Sequence, residues 1–385
     1  MTLAAPVQSA EDPDIELLKA GYVLEESVLE RMRTIGVRNI FVDYPALDEL
    51  DRHLKPLLSE PRRQMYGQIK QTFALAQEHL QPADLSYQDY YNSVRELMFT
   101  LMSQGRHPIY LEQLSRLGGD TVAHAASVAH LSLLLGIKLE RYLINQRRRL
   151  PIAHAKEVIN LGVAGMLHDI GKLCLPAHLQ NCTCLDEIKS DADRFEFQTH
   201  PRLGYDLVRM GLEPSAASAV LNHHQHYDGS GFATSVDKQG RPRVLSRTQI
   251  HVFARILFVA DLYDRLAAVR GTTERRSNLQ VLWVMRTKFA SWCDPVVLQA
   301  LHAIAPPFPP GSRLTLSDCA TVLVTIDDPA DPFHPIVKRL AADGWTLEEP
   351  SIDLGAPGMP TVVNLNGMAV APFLPREDAM AFMRG

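Results

Sequence analysis

Imidazole and carboxylate side chains on otherwise apolar helices are costly to bury unless they find partners, and a metal ion is one strong partner. Residues of this kind recur through the middle of the chain. In LGVAGMLHDIGKL, residues 161–173, His168 and Asp169 are adjacent. Neighbours cannot project in one direction from a regular helix. Both can flank one site if the helix ends there, as Gly171 suggests. Asp169 offers two oxygens and can bridge two cations, while His168 offers a nitrogen. Lys172 follows Asp169 by three positions, within reach of a phosphate oxygen beside such metals. Two metals sharing a carboxylate would lower the pKa of a bound water and neutralise phosphoryl charge, which is chemistry suited to phosphodiester hydrolysis.

A single His-Asp dipeptide means little, so the rest of the series decides its weight. His124 lies in DTVAHAASVAHLSLLLG, a stretch with helical apolar spacing. His200 precedes Pro201, which suits the first turn of a helix. His223 and His224 stand together in AVLNHHQHYDGSGF, and Asp261 sits in the apolar ARILFVADLYDRLAA. Ten of the fifteen histidines fall between His124 and His251. Within that segment His130, His154, His178, His226 and His251 have weaker surroundings and read as surface or satisfied core residues. Cys182-Thr183-Cys184 has no matching CxxC partner and reads as an ordinary loop.

Taken in order, several short pieces resemble the HD-GYP family of cyclic di-GMP phosphodiesterases, a branch of the HD superfamily. They are His124 opening a helix, HDIGK at 168–172, His200-Pro201 with Gly204, HHQHYDGSGF at 223–232 and VADLYDRLAAVR at 259–270. The resemblance implies metal ligands at His124, His168, Asp169, His200, His223, His224 and Asp261. It implies two or three divalent transition metals, with Fe or Mn best suited to the ligands and Zn or Ni allowed. Asp120, four residues before His124, is either a ligand to a third metal or a helix N-cap. Asp169 and Lys172 would carry the catalysis. Lys172, Phe232, Asp264 and Arg270 would meet the substrate, although Asp264 can instead pair with Arg265 or Arg270. The implied reaction is hydrolysis of cyclic di-GMP to linear pGpG, and onward to GMP, by hydroxide formed at the metals. The sequence departs from the family where the GYP signature reads Gly231-Phe232-Ala233, losing a hydroxyl and a rigid proline. The segment between Lys172 and His200 also departs, reading NCTCLDEIKSDADRF where a KPG-like turn is usual. An altered loop leaves a second reading, a cyclic-dinucleotide sensor using the same pocket. The residues also allow another HD-type enzyme acting on a different nucleotide, a di-iron oxygenase with similar ligands, or a purely structural helical protein.

The elements that must position these residues are mostly helical. The expected fold is mainly α, an HD-type helical bundle with a small αβ module before it and a small β-rich appendage after it. The expected boundaries are 1–47 for the module, 48–118 for a helical connector, 119–306 for the metal-binding domain and 307–385 for the appendage. In the module, a flexible lead over 1–14 precedes a strand near Tyr22–Leu24, a helix over Glu26–Ile35, a stop at Gly36 and a strand at Asn39–Val42. Arg62–Leu80 has helical spacing and reads as a connecting or dimerising helix. Loops are expected at Pro176–Asp193 and Asp228–Arg247. In the appendage, β-branched alternation in LTLSDCATVLVTI and at Thr361–Asn366 predicts strands, with a short helix at Pro335–Ala342 between them.

The 385 residues carry a net charge of −5, and 46% are hydrophobic. That balance supports a sizeable core and argues against a nucleic-acid polymer as the main partner, because such proteins usually carry a basic excess. Five cysteines without regular spacing fit a reducing compartment. The N-terminus lacks the pattern of a signal peptide, and no apolar run reaches the ~20 residues of a spanning helix. A cytoplasmic protein with no membrane partner is the resulting expectation.

Overall fold

The computed structural model describes residues 2–3, 6–8, 16–35, 37, 40, 42–43, 67–69, 71, 85, 87–104, 120–232, 235–236, 242–269, 275–343 and 346–374. The chain divides into two units. One comprises Met1–Ser59, Arg106–Gly119 and Pro306–Gly385, and the other Glu60–Gly105 and Asp120–Ala305.

In the first unit, helix α1 spans Glu26–Thr34. The expected flexible lead is instead ordered in part. Thr2–Leu3 pairs antiparallel with Val42–Asp43, Val7–Gln8 pairs with Glu16–Leu18, and Thr2 bridges Val23. The physical reason is burial: Leu3, Val7 and Met32 form a small core on which Leu18, Val28 and Leu29 pack. The C-terminal part is a six-stranded antiparallel sheet of β1 (Arg313–Leu316), β2 (Thr321–Ile326), β3 (Ile336–Leu340), β4 (Leu347–Asp353), β5 (Val362–Leu365) and β6 (Met368–Ala369). Their spatial order is β4-β3-β2-β1-β5-β6. The expected helix at Pro335–Ala342 is strand β3, flanked by β2 and β4. Val337 faces Val324 across the ladder and both are fully buried, so cross-strand packing overrides the helical preference of Lys-Arg-Leu-Ala-Ala.

The second unit is helical throughout its core. Its main elements are α2 (Tyr87–Gln104), α3 (Asp120–Lys138), α4 (Glu140–Gln146), α5 (Ile159–Leu167), α6 (Asp191–Phe197), α7 (His200–Val208), α8 (Pro214–Asn222), α9 (Val252–Ala267), α10 (Asn278–Lys288) and α11 (Pro295–Ile304). The expected loop at Pro176–Asp193 contains single turns of helix at Ala177–Gln180 and Leu185–Glu187. The protein as a whole is thus mainly α with a small antiparallel sheet. Helix α9 is buried on every side from Val252 to Asp264, so it forms the axis on which α3, α5, α8, α10 and α11 pack. Helices α3 and α5 approach closely because Gly165 has no side chain: a Cβ there would stand 2.6 Å from the Cα of Ala129. Residues Thr121–Lys138 of α3 are, against expectation, long and apolar enough to cross a membrane. In the fold they are a core helix, with Val128, Leu131, Leu133 and Leu135 wholly buried.

Arg255 of α9 clamps three helices. It bonds the carboxylate of Asp294, which caps α11, and donates to the Tyr142 hydroxyl at 2.6 Å and to Gln146 at 2.7 Å, both on α4. Arg62–Leu80, the expected connecting helix, lies almost wholly outside the described residues, which include only helical turns at 67–69 and 71.

Candidate metal centre

Helix α5 ends at Leu167, with His168 in its cap position, and a 3-10 turn takes over at Ile170–Cys174. The change of helix type aims His168 and its neighbour Asp169 at one centre, although a regular helix would part them. Gly171 lets that turn abut the start of α7, because a Cβ there would run into the carbonyl of His200. His200 is the first residue of α7, with Pro201 in its first turn. His223 caps the end of α8, and His224 follows it. His124 comes from α3 and Asp261 from α9.

The seven residues meet. Asp169 Oδ1 lies 3.3 Å from His200 Nε2 and 3.7 Å from His223 Nε2. Asp169 Oδ2 lies 3.5 Å from His168 Nε2 and 3.7 Å from His124 Nε2. His124 Nε2 is in turn 3.2 Å from Asp261 Oδ1. Two groups result, each with its potential ligand atoms within 4.8 Å of one another: Asp169, His200, His223 and His224, and His124, His168 and Asp261. Asp169 turns one oxygen to each group.

Their outer partners fix the rings. His168, His200 and His223 each donate Nδ1–H to a backbone carbonyl three residues back, Gly165, Phe197 and Val220, at 2.7–2.8 Å. Each Nε2 lone pair therefore faces inward. His200 and His223 then oppose lone pairs at 3.3 Å, beside a carboxylate oxygen, with both rings wholly buried. Such a set is electrostatically unfavourable until a cation lies among it, so these residues fit a divalent metal. His124 is oriented differently, by Asp264, whose Oδ2 lies 2.8 Å from Nδ1.

A model of the HD domain matches residues 148–297, a span that begins after His124. The chain is 27% identical over 266 residues to the cyclic di-GMP phosphodiesterase PA4108 of Pseudomonas aeruginosa, covering 66% of this chain and 57% of that protein. It is 30% identical over 150 residues to the cyclic di-GMP phosphodiesterase response regulator RpfG of Xanthomonas campestris, covering 38% and 36%. The helical unit is thus similar to proteins that carry the name of cyclic di-GMP phosphodiesterases. Among solved structures, Bd1817, an HDG"Y"P protein of Bdellovibrio bacteriovorus, aligns over 78% of this chain and 96% of that one at 15% identity, with a TM-score of 0.44. The chain thus spans from about a third to somewhat over half of these two curated relatives.

Electrostatics in the centre follow from burial and three charged side chains, Lys172, Arg265 and Arg275. Burial alone would raise the pKa of Asp169, but Lys172, with Nζ 2.6 Å from Oδ2, and the neighbouring histidines hold it well below the usual carboxylate range. Asp261 is likewise opposed by burial and held down by Arg265, 2.6 Å from Oδ2, and by His124. Asp264 is held down against burial by Arg275, 2.7 Å from Oδ1, and by His124. Burial pushes His168 down to about 3 and His200 down to about 4, so both rings stand ready as neutral ligands. Burial also opposes the charge on His124, but its bonds to Asp261 and Asp264 outweigh that and raise it to about 9.

Other expected site residues are placed variously. Lys172 is buried on Asp169, and its ammonium also lies over the Phe197 ring at 5.4 Å. The Phe232 ring packs on His224, centroids 4.7 Å apart, and its carbonyl accepts a bond from the Gln225 side chain. Asp264, expected at the substrate, lies behind His124 with each oxygen engaged, one by His124 and one by Arg275. Among the described residues its cationic partner is thus Arg275, not Arg265. Arg270 and the side chain of Asp120 lie outside the described residues. Sequence reasoning offered Arg265 only as a partner of Asp264, not of Asp261, and passed over Arg275. The first carried a signal, since it stands one helical turn after Asp261. The second did not, because its approach depends on how the chain returns after α9.

Proposed function

We propose that this chain is a metal-dependent phosphodiesterase that opens cyclic di-GMP to linear pGpG and cleaves it onward to GMP. The observation that carries the reading is Asp169 presenting one oxygen to each of two ligand groups, as a carboxylate bridging two cations would. The names of PA4108 and RpfG supply the substrate. His200, His223 and His224 with Asp169 would hold one cation, and His124, His168 and Asp261 with Asp169 the other. Imidazole-rich ligation bridged by carboxylate favours Fe or Mn. Bound there, two such cations supply a water of lowered pKa and neutralise phosphoryl charge.

The chain's own residues do the rest. The backbone carbonyls behind His168, His200 and His223 hold those rings in one tautomer, and Asp264 does the same for His124. Lys172 supplies a positive charge beside Asp169 for a phosphoryl oxygen whose charge grows in the transition state. Phe232, packed on His224, offers an aromatic face to a guanine base. Arg270 is assigned to the nucleotide on resemblance alone.

Metal-reconstituted protein incubated with cyclic di-GMP is expected to yield pGpG, and Asp169→Ala is expected to abolish turnover and remove metal from both groups. Tight binding of cyclic di-GMP without product would favour a sensor. Faster turnover of cyclic GMP-AMP or of a dNTP would reassign the substrate.

A further inference from the structure

Arg265 is a cation at this centre for which neither the resemblance nor the comparisons supply a role at the phosphate. Its Nη2 pairs with Asp261 Oδ2 at 2.6 Å, and its Nη1 donates to the carbonyl of Thr183 at 3.1 Å. A guanidinium carries five N–H donors, and among the described residues only one, on Nη1, makes a hydrogen bond, the Asp261 contact being an ion pair. Nε is buried and has no hydrogen-bond partner among the described residues. Anchored at a helix carboxylate and at a loop carbonyl, the group is fixed before any ligand arrives.

Its place is the mouth of the centre. The side chains of Asp169, Asp261, His168, His200 and His223 are at most 3% exposed, and that of Lys172 is 8% exposed. His124 and Arg265 keep 15% and 18%. An anion entering from solvent therefore meets Arg265 next to the His124, His168 and Asp261 group. Asp261 also has a division of labour available to it. Oδ1, toward His124, can serve a cation, while Oδ2 keeps Arg265 in place. The Nη donors that Asp261 and Thr183 do not use suit a non-bridging phosphoryl oxygen.

We propose that Arg265 is a phosphate-binding residue of this centre, supplying N–H donors beside Asp261, as Lys172 supplies an ammonium beside Asp169. The inference rests on the phosphodiester reading for the class of anion and on no particular nucleotide. The test uses metal-loaded full-length chain and inorganic phosphate as the probe, with metal content measured in parallel by elemental analysis and affinity by calorimetry.

In Arg265→Gln, metal content is expected to stay at the wild-type level, while phosphate binds roughly ten- to a hundredfold more weakly, as expected for loss of a charge-assisted bond. Arg265→Lys, which keeps the charge but loses the fork, is expected to fall between. Unchanged phosphate affinity in both variants overturns the proposal. Loss of metal from Arg265→Gln with full metal and full phosphate affinity in Arg265→Lys also overturns it, showing a residue that only positions Asp261. If Arg265→Gln does not fold, Arg265→Lys decides alone, and wild-type phosphate affinity in it overturns the proposal. Arg265-dependent phosphate binding in a protein that turns over no cyclic di-GMP leaves this inference standing and removes the proposed substrate.

Discussion

Asp264 accepts the Nδ1–H of His124 at 2.8 Å, on the side of the ring away from Asp261. The pair spans 140 positions in sequence and joins α3 to α9. A carboxylate behind a histidine fixes the tautomer and makes the ring a better ligand. Asp264→Asn keeps the shape but withdraws the charge, and it leaves buried Arg275 without its carboxylate. Affinity for one of the two metals is expected to fall about 10–100-fold, with the Asp169, His200, His223 and His224 group still able to hold the other. Competition with a chromophoric chelator measures it. Two metals held at wild-type affinity would show that Asp264 does not serve the ligand.

Gly165 serves the centre through packing. A side chain there meets the backbone of Ala129, which cannot swing aside as a side chain can. Gly165→Ala would gain about 1 kcal/mol of helix propensity on an exposed helix. Here overpacking is expected to outweigh that gain, with a net loss of about 1–3 kcal/mol in denaturant unfolding. Because the Gly165 carbonyl holds His168 Nδ1, metal affinity should fall with stability. A variant as stable as wild type would mean that α3 and α5 can part without cost.

The legible part of this molecule is what repeats at short range or needs compensation when buried. His124, His168, Asp169 and Asp261 stood out as costly groups in apolar segments, the resemblance to the HD-GYP family joined His200, His223 and His224 to them, and the fold brings all seven together. Helix α9 was legible for the same reason. What the sequence hid depends on distant chain. Arg275 reaches Asp264 only because the backbone doubles back, with Ala268 bridging Arg275. Strand β3 resembles a helix locally and becomes a strand because β2 and β4 flank it. Leu3 and Val7 looked like a free lead because their partners, Met32 among them, lie well along the chain.

His251 offers a test of pH dependence away from the metal ligands. It caps α9, accepting the Phe253 N–H on Nδ1 at 3.2 Å, with its ring set edge-on to Phe253. Burial, and then the nearby Arg147, push its pKa down to about 4. In the unfolded chain the ring titrates near 6.5. Between those values the unfolded state binds a proton that the folded state refuses, so stability is lost as pH falls from about 6.5 toward 4 and is retained above that window. The contribution is on the order of 1–3 kcal/mol. His251→Asn keeps a side-chain oxygen able to cap the helix but removes the titration. In metal-free protein, denaturant unfolding at pH 7 should give similar stabilities for the two forms. At pH 4.5 the wild type should have lost more than the variant. Parallel pH profiles for the two would show that the His251 ring takes up its proton without strain in the folded protein.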